Sequence, residues 1–217
     1  MPGYLSSTHN IACLIVGLLL IVPTSSYAWS LRVVDAKGTT VPAAIVHISG
    51  PKVLTTDSLP MAVMDQVDRE YTPHLLPIYT GQQVSFPNSD NVRHHIYSFS
   101  KTKPFEIKLY ANTLPPPLTF SSPGEVILGC NIHDSMLGYI IVYDGGKFKQ
   151  ANSKGSVSFD EPQEQISTLT IWHPDLKNRS LTNLRPKLSG SSVSTIAIDL
   201  NPPPVKISKK KSGRFYK

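Results

Sequence analysis

Apolar and polar residues alternate with a period of two along most of the chain after residue 28, which is the pattern of β-strands with one buried face. Residues 29–49 hold two such strands around the turn sequence DAKG, and HHIYSFS at 94–100 and STIAIDL at 194–200 repeat the pattern. The 19 prolines are scattered, and the sequence shows no helical period or repeat. The pattern therefore predicts an all-β protein rich in turns.

The strand pattern divides the chain into blocks. Residues 63–144 hold many short strands separated by polar loops, whereas 29–62 and 145–200 follow a simpler order of strand, turn and strand. The sequence NPPP then ends the fold, because successive prolines favour a polyproline spacer over a strand. Residues 201–217 are predicted to form a basic, disordered tail.

The N-terminus is apolar over residues 11–22, a run that is short for a membrane span and typical of the core of a signal peptide. The small residues in SSYA predict removal of residues 1–28, which would leave Trp29 as the first residue of a periplasmic protein. The first ten residues contain no Lys or Arg, so an uncleaved anchor is the alternative. Cleavage would also remove Cys13 and leave one cysteine in an oxidising compartment, where an unoccupied thiol is a liability.

The formal net charge of +6 comes from the C-terminal tail. Residues 201–217 hold six basic and no acidic residues, while residues 1–200 hold 15 of each. A solvated, disordered tail is the simplest interpretation. Attraction to an acidic partner or to an anionic membrane surface is the alternative. Membrane contact is expected only through this tail or an uncleaved signal, and no nucleic-acid partner is expected.

Three side chains that bind soft metal ions stand at regular spacing in GCNIHDSM: Cys130, His133 and Met136. Two imidazoles, a thiolate and a distant thioether form the blue-copper site. A short loop between the strands EVILGC and LGYIIVYD would hold such ligands rigidly. The second imidazole would come from His94 or His95 in the upstream loop NSDNVRHH. Neighbouring strand residues point to opposite faces, so one of the two is expected to reach the metal, and alternation leaves open which one.

NSDNVRHHIYSFS followed by GCNIHDSMLGYIIV resembles the cupredoxins, the plastocyanin and amicyanin group that includes plastocyanin-like proteins labelled methylamine utilization proteins. The resemblance covers residues 63–144 and implies a Greek-key β-sandwich that binds one type 1 copper ion. The copper ligands that it implies are His94, Cys130, His133 and Met136. His94 is implied as the first ligand because that ligand in the family is the histidine of a His-Asn-Val sequence, which HHI at 94–96 matches best. His95 then stands where the family usually has asparagine. Asn88 matches a family asparagine that joins the two ligand loops by hydrogen bonds.

The flanking sequences have a likeness of their own. LRVVDAKGTTVPAAIVHISG and FKQANSKGSVSFDEPQEQISTLTIWH together resemble the carboxypeptidase regulatory-like, immunoglobulin-type β module. They lie on either side of residues 63–144. The resemblance implies that the cupredoxin unit is inserted in a small β-sandwich split in sequence, which closely spaced termini make tolerable. A single enlarged sandwich is the alternative.

The cupredoxin resemblance implies a periplasmic carrier of single electrons, with a redox protein such as a c-type cytochrome or a periplasmic dehydrogenase as partner. We expect no enzyme activity, because the sequence has no second histidine cluster suited to catalytic copper, no Ser-His-Asp order and no phosphate loop. His47, His74 and His173 are expected to be structural. The alternatives are a copper-storage or delivery protein with the same ligands, and an interaction module without metal.

Overall fold

The computed structural model describes residues 28–50, 59–163, 166–177, 182–184 and 193–202, with side chains left undescribed for 182–184. The predicted signal peptide, except Ala28, and the predicted tail after Pro202 lie outside these ranges. All elements whose bounds lie within these ranges are β-strands, which confirms the all-β prediction. Within the same ranges, no helix has the length and apolar character needed to cross a membrane.

The described residues form 17 strands in five sheets. In chain order, the strands are β1 (Trp29–Asp35), β2 (Ile45–Ile48), β3 (Ala62–Val63), β4 (Asp65–Val67), β5 (Glu70–Thr72), β6 (Leu75–Tyr79), β7 (Gln83–Ser85), β8 (His94–Ser98), β9 (Phe105–Tyr110), β10 (Leu118–Thr119), β11 (Gly124–Cys130), β12 (Leu137–Tyr143), β13 (Lys147–Gln150), β14 (Ser156–Phe159), β15 (Leu169–Trp172), β16 (Thr182–Leu184) and β17 (Val193–Ile198).

Two sheets share an apolar core in the central part of the chain, between residues 62 and 143. The larger sheet has the strand order β6-β12-β11-β8-β9, and the smaller one has the order β10-β7-β3. Val84 from the smaller sheet and Ile96 from the larger one are both fully buried in this core. The alternation on β8 follows from strand geometry, since His94, Ile96 and Ser98 are buried while the residues between them are less so.

Two further sheets combine strands from both sides of that central region. Their strand orders are β14-β1-β17 and β13-β2-β15-β16. Strand β1 pairs antiparallel with β14 and parallel with β17, so both ends of the described chain meet in one sheet. Leu31, Val46, Phe159 and Ile171 are among the buried residues of their shared core. The immunoglobulin-type likeness and the boundaries at 62/63 and 144/145 stay predictions.

A third apolar cluster joins the two pairs of sheets. Its buried members are Ile45, Leu75, Tyr139, Ile141, Tyr143 and Trp172. The rings of Tyr139 and Trp172 lie 5.2 Å apart, and Trp172 Nε1 donates a hydrogen bond to Glu125 Oε2 at 3.3 Å. Strand β12 is therefore buried on both faces from Gly138 to Tyr143. This fixed strand begins where the turn with the predicted metal donors ends.

Candidate metal centre

Two neighbouring antiparallel strands carry the first two predicted donors. His94 is the first residue of β8, Cys130 is the last residue of β11, and the register pairs Ile96 with Cys130. His94 and Ile96 are two residues apart and therefore face the same side of the sheet. His94 is 0% exposed and Cys130 is 4% exposed, so an imidazole and a thiol meet at the edge of the apolar core.

The turn between β11 and β12 carries the other two predicted donors. Met136 N donates a hydrogen bond to His133 O at 2.9 Å, which closes the turn. The pairing of Gly129 with Leu137 joins the two strands directly below it. Met136 is buried in the same apolar cluster as Cys130, whereas His133 is partly exposed. The turn thus carries one histidine at the surface and a thioether in the core.

Three of these residues, His94, Cys130 and His133, form what we call the donor cluster. Cys130 Sγ lies 3.8 Å from His94 Nδ1 and 3.6 Å from His133 Nδ1, and the three donor atoms lie within 4.8 Å of one another. For zinc-like bond lengths of about 2.3 Å to sulfur and about 2.0 Å to nitrogen, tetrahedral to trigonal angles require sulfur and nitrogen to be about 3.5–3.8 Å apart. Cys130 Sγ therefore lies at a suitable distance from each imidazole nitrogen for a shared ion.

The chemistry of the donors favours copper over zinc. Structural zinc sites are usually closed by four cysteine or histidine ligands. Two imidazoles and one thiolate in a plane, with a weakly bound methionine, are instead typical of blue-copper sites. Among the residues that the structure describes, the donor cluster is the one group of three His, Cys, Asp or Glu side chains with the spacing of a metal site. The donor cluster therefore points to copper.

Asp90 belongs to this site, although the sequence did not single it out. Its Oδ2 lies 3.0 Å from His94 Nε2 and accepts a hydrogen bond from Arg69 N at 2.8 Å. The hydrogen bond from His94, and after it the one from Arg69 N, lowers the pKa of Asp90 below its ordinary value of 3.8. Because an ionised carboxylate only accepts, the His94 proton is assigned to Nε2, and Nδ1 faces Cys130 with its lone pair. A carboxylate placed in this way orients a ligating imidazole.

His95 lies on the opposite side of β8, as strand alternation requires. Its Nε2 is 2.9 Å from Glu106 Oε1, and its ring meets the Tyr97 ring edge-on at 6.3 Å. It is not part of the donor cluster. The structure thus places His94, and not His95, beside the thiol of Cys130.

Asn88 holds the loop that leads into β8. Its Nδ2 donates to Val92 O at 2.9 Å and to Tyr110 O at 3.0 Å, and its Oδ1 accepts from Asp90 N at 3.0 Å. Within the described ranges, its hydrogen bonds do not include the predicted link to the turn after Cys130. Asn88 therefore orders the His94 side of the site.

The other described histidines lie away from the donor cluster. His47 stacks on Tyr143 with ring centres 4.3 Å apart, and His74 meets Tyr139 edge-on at 5.3 Å. The ring of His173 accepts a hydrogen bond from a backbone N–H in the turn after β15, at 3.2 Å. Each ring packs or hydrogen-bonds within the fold, which agrees with the structural role expected of these residues.

No protein-family model and no curated protein matches the chain. Among solved structures, it is similar to the Cu-containing nitrite reductase (NirK) from Thermus scotoductus SA-01, with 27% identity over 45% of this chain and 25% of that chain and a TM-score of 0.38. It is also similar to the Cu(I) form of an amicyanin mutant, with 18% identity over 45% of this chain and 98% of that chain and a TM-score of 0.35.

The chain therefore spans about a quarter of the nitrite reductase and nearly all of amicyanin, and each alignment covers less than half of this chain. At these TM-scores, the donor cluster and not the alignment carries the case for copper. Amicyanin, which belongs to the group indicated by the sequence, is thus among the solved structures that this chain resembles.

Proposed function

We propose that this chain is a periplasmic type 1 copper protein that carries single electrons between redox partners and has no substrate chemistry of its own. The observation that carries the proposal is the donor cluster, in which one thiol and two imidazoles lie within 4.8 Å at the edge of a buried core. Met136 lies in the apolar cluster that contains Cys130. These residues together are the ligand set of electron-transfer copper sites.

The strands around the donor cluster would keep the ligands in place while a bound copper ion gains and loses one electron. His94 and Cys130 stand on paired strands, and the hydrogen bond from Met136 N to His133 O closes the turn. A bound copper ion would supply the one-electron couple. The surrounding strands hold the donors at fixed separations and shield two of them from water, which is the rigid support that a functional site needs.

His133 offers the route by which an electron would leave, because it is partly exposed while the other two members of the donor cluster are buried. Ile132 lies in the turn and Leu137 directly follows it; they are 48% and 38% exposed. Leu137 also lines a groove of about 370 Å³ with Phe99, which is 86% exposed. Apolar surface of this kind suits transient contact with another protein. The proposed partner is a c-type cytochrome or a periplasmic dehydrogenase.

The periplasmic location is supported by the apolar run at residues 11–22, which has the length of a signal-peptide core. Cys130 is free and buried. In an oxidising compartment, a thiol is protected when it serves as a metal ligand. The six basic residues of 201–217 are the proposed point of attraction to an acidic partner or an anionic membrane.

Copper titration of the purified protein tests the proposal. One equivalent of Cu(II) is expected to give an intense visible band from thiolate-to-copper charge transfer, and Cys130→Ser is expected to give none. Circular dichroism of both metal-free proteins controls for folding, since serine is close to cysteine in size. A band that survives in Cys130→Ser would falsify the site. A wild type that binds Zn²⁺ tightly and gives no visible band with copper would identify a zinc site instead.

A copper-storage or delivery role is the second candidate, and the partial exposure of His133 favours it, because an incoming ligand can displace an exposed donor. Repeated reduction and reoxidation in the presence of a Cu(I) chelator separates the two functions. An electron carrier keeps its copper and its visible band through the cycles. A delivery protein loses Cu(I) to the chelator after the first reduction.

A further inference from the structure

We propose that the hairpin of strands β4 and β5 braces both donor-bearing segments, and that this brace sets the copper affinity and reduction potential of the site. The inference rests on the proposed function, because it concerns the same donors. The hairpin contributes no donor itself. Its contacts, however, reach both sides of the donor cluster.

The hairpin has an unusual turn. Asp65–Val67 pairs with Glu70–Thr72, which leaves Asp68 and Arg69 as a two-residue turn. Both have positive φ angles, 53° and 63°, as a type I′ turn requires. Asparagine and glycine are the residues preferred there, and a left-handed arginine costs free energy. Such strain persists where the surrounding structure holds the residue in place. For Arg69, the hydrogen bond from its backbone N–H to Asp90 does so.

The hairpin holds the segment that leads to His94 at several points, which include hydrogen bonds from Ser89 N to Gln66 O at 3.1 Å and from Gln66 Nε2 to Pro87 O at 2.9 Å. Arg69 N donates to Asp90 Oδ2 at 2.8 Å, and the same oxygen accepts the hydrogen bond from His94 Nε2 at 3.0 Å. The carboxylate of Asp65 accepts hydrogen bonds from Ser89 N at 3.1 Å and from Ser89 Oγ at 2.7 Å. The backbone of this segment and the carboxylate behind His94 are therefore both tied to the hairpin.

The second strand of the hairpin holds the segment that ends at Cys130. Tyr71 OH donates to Gly129 O, on the residue before Cys130, at 2.9 Å. Burial raises the pKa of Tyr71 above its ordinary value of 10.0, so the hydroxyl keeps its proton. The Tyr71 side chain also lies against Gly138 on β12, where an added Cβ would approach it to 2.8 Å. Strand β5 is therefore fixed against both strands that flank the donor turn.

One hairpin thus connects two segments that are distant in sequence, which is the linking role that the cupredoxin resemblance implies for Asn88. With the brace in place, His94 Nδ1 lies 3.8 Å from Cys130 Sγ. Without it, Asp90 and the His94 ring lose a fixed orientation. Removing a partner that orients a ligand typically weakens metal binding about 10- to 100-fold.

Variants that replace no donor test the brace. Asp65→Ala removes the two hydrogen bonds that the Asp65 carboxylate accepts from Ser89, and it leaves the one from Ser89 N to Gln66 O at 3.1 Å. Arg69→Pro removes the N–H that holds Asp90, together with the left-handed turn. Arg69→Gly is the matched control, because it keeps the N–H and suits a positive φ. Tyr71→Phe keeps the ring in place and removes the hydroxyl alone.

We expect the ratio of Cu(II) affinity to Cu(I) affinity to be about tenfold lower in Asp65→Ala and Arg69→Pro than in wild type. The more highly charged ion gains more from an imidazole that is hydrogen-bonded to a carboxylate. A tenfold change in that ratio raises the reduction potential by about 59 mV for a one-electron couple. Tyr71→Phe is expected to shift the potential by a smaller amount. Arg69→Gly is expected to keep the wild-type potential.

A second measurement needs no metal. In the metal-free protein, NMR should show the His94 Nε2 proton protected from solvent exchange in wild type and Arg69→Gly, and exchanging faster in Asp65→Ala and Arg69→Pro. If wild type binds no copper, the proposed function fails, while proton exchange still tests the brace. The inference is overturned if Asp65→Ala and Arg69→Pro lower the melting temperature yet leave both the potential and the exchange of this proton unchanged.

Discussion

The two segments that carry the donors are ordered in different ways. The turn at 130–136 holds three of the predicted donors and is closed by its own backbone, since β11 and β12 pair as far as Gly129 and Leu137. The loop at 88–94 holds one donor, His94, and its backbone and carboxylate are tied to the β4–β5 hairpin, 21 to 24 residues away in the chain. One segment is thus ordered by strand pairing, and the other mainly by hydrogen bonds that involve side chains of the loop itself and of the hairpin.

This difference has a physical consequence. The hydrogen bonds that pair β11 with β12 join backbone groups, so a substitution other than proline leaves their donors and acceptors in place. The hydrogen bonds of the 88–94 loop, in contrast, depend on particular side chains such as Asp65 and Asp90. Substitutions distant from the metal are therefore expected to disturb His94 more than the donors in the turn.

The largest effect is expected from replacing His94, the donor whose loop is ordered by side-chain hydrogen bonds. His94→Ala should abolish the visible copper band, because it removes one of the two imidazoles of the donor cluster. His95→Ala should keep the band, because the ring of His95 lies near Glu106 on the other side of β8. Absorption spectra of both variants at equal copper loading test this pair. A coloured His94→Ala beside a colourless His95→Ala would reverse the assignment.

The donors in the turn could be predicted from the sequence because they are local. Cys130, His133 and Met136 share one short loop, so spacing alone brings them together. Alternation alone leaves the choice between His94 and His95 open, and it places the large aromatic residues Tyr97 and Phe99 on the face of His95. The structure buries the other face, and Phe99 is 86% exposed. In this strand, the more aromatic face is the outer one.

Asp90 and the hairpin could not be predicted from local patterns. Asp90 lies in a polar loop, where an acidic residue usually needs no partner other than water. The turn at Asp68 and Arg69 lacks the asparagine and glycine that signal a tight hairpin. Their roles follow from the path of the chain, which brings Arg69 N to Asp90 Oδ2. An acidic residue four positions before a candidate ligand histidine is the one signal that the sequence offered.

An intermediate effect is expected from two glycines near the donor turn. A Cβ at Gly138 would lie 2.8–2.9 Å from the buried root of the Tyr71 side chain, whereas a Cβ at Gly129 would lie 2.7 Å from the outer end of the Tyr97 ring. Tyr97 is partly exposed and can turn away, while Tyr71 is held by its neighbours. Gly138→Ala should therefore lower the free energy of unfolding by about 1–3 kcal/mol, and Gly129→Ala by less.

Urea denaturation of the metal-free variants measures this difference. If both substitutions lower the free energy of unfolding by the same amount, the fixed contact between Tyr71 and Gly138 does not distinguish the two sites. A larger cost for Gly129→Ala would show that Tyr97, and not Tyr71, is the side chain that cannot move.

The smallest effect is expected at the far end of β12, away from the donor turn. His47 stacks on Tyr143 there, and its Nε2 lies 2.7 Å from Gly145 O. Burial lowers the pKa of His47 below its ordinary value of 6.5, and the hydrogen bond to Gly145 O opposes this shift in part. Burial likewise lowers the pKa of His173. Below about pH 6.5, the unfolded chain therefore binds more protons at these residues than the folded chain does.

The free energy of unfolding should consequently decrease as the pH falls through this window, because proton uptake favours the unfolded chain. Melting temperatures of the metal-free protein between about pH 7.5 and about pH 5.5 measure the decrease. His47→Gln should make the melting temperature less dependent on pH, since glutamine can keep a hydrogen bond without taking up a proton. If the pH dependence is unchanged in this variant, other residues cause it. Because the turn at 130–136 is closed by its own backbone, the visible band of the copper-loaded protein should persist while the far end of β12 weakens.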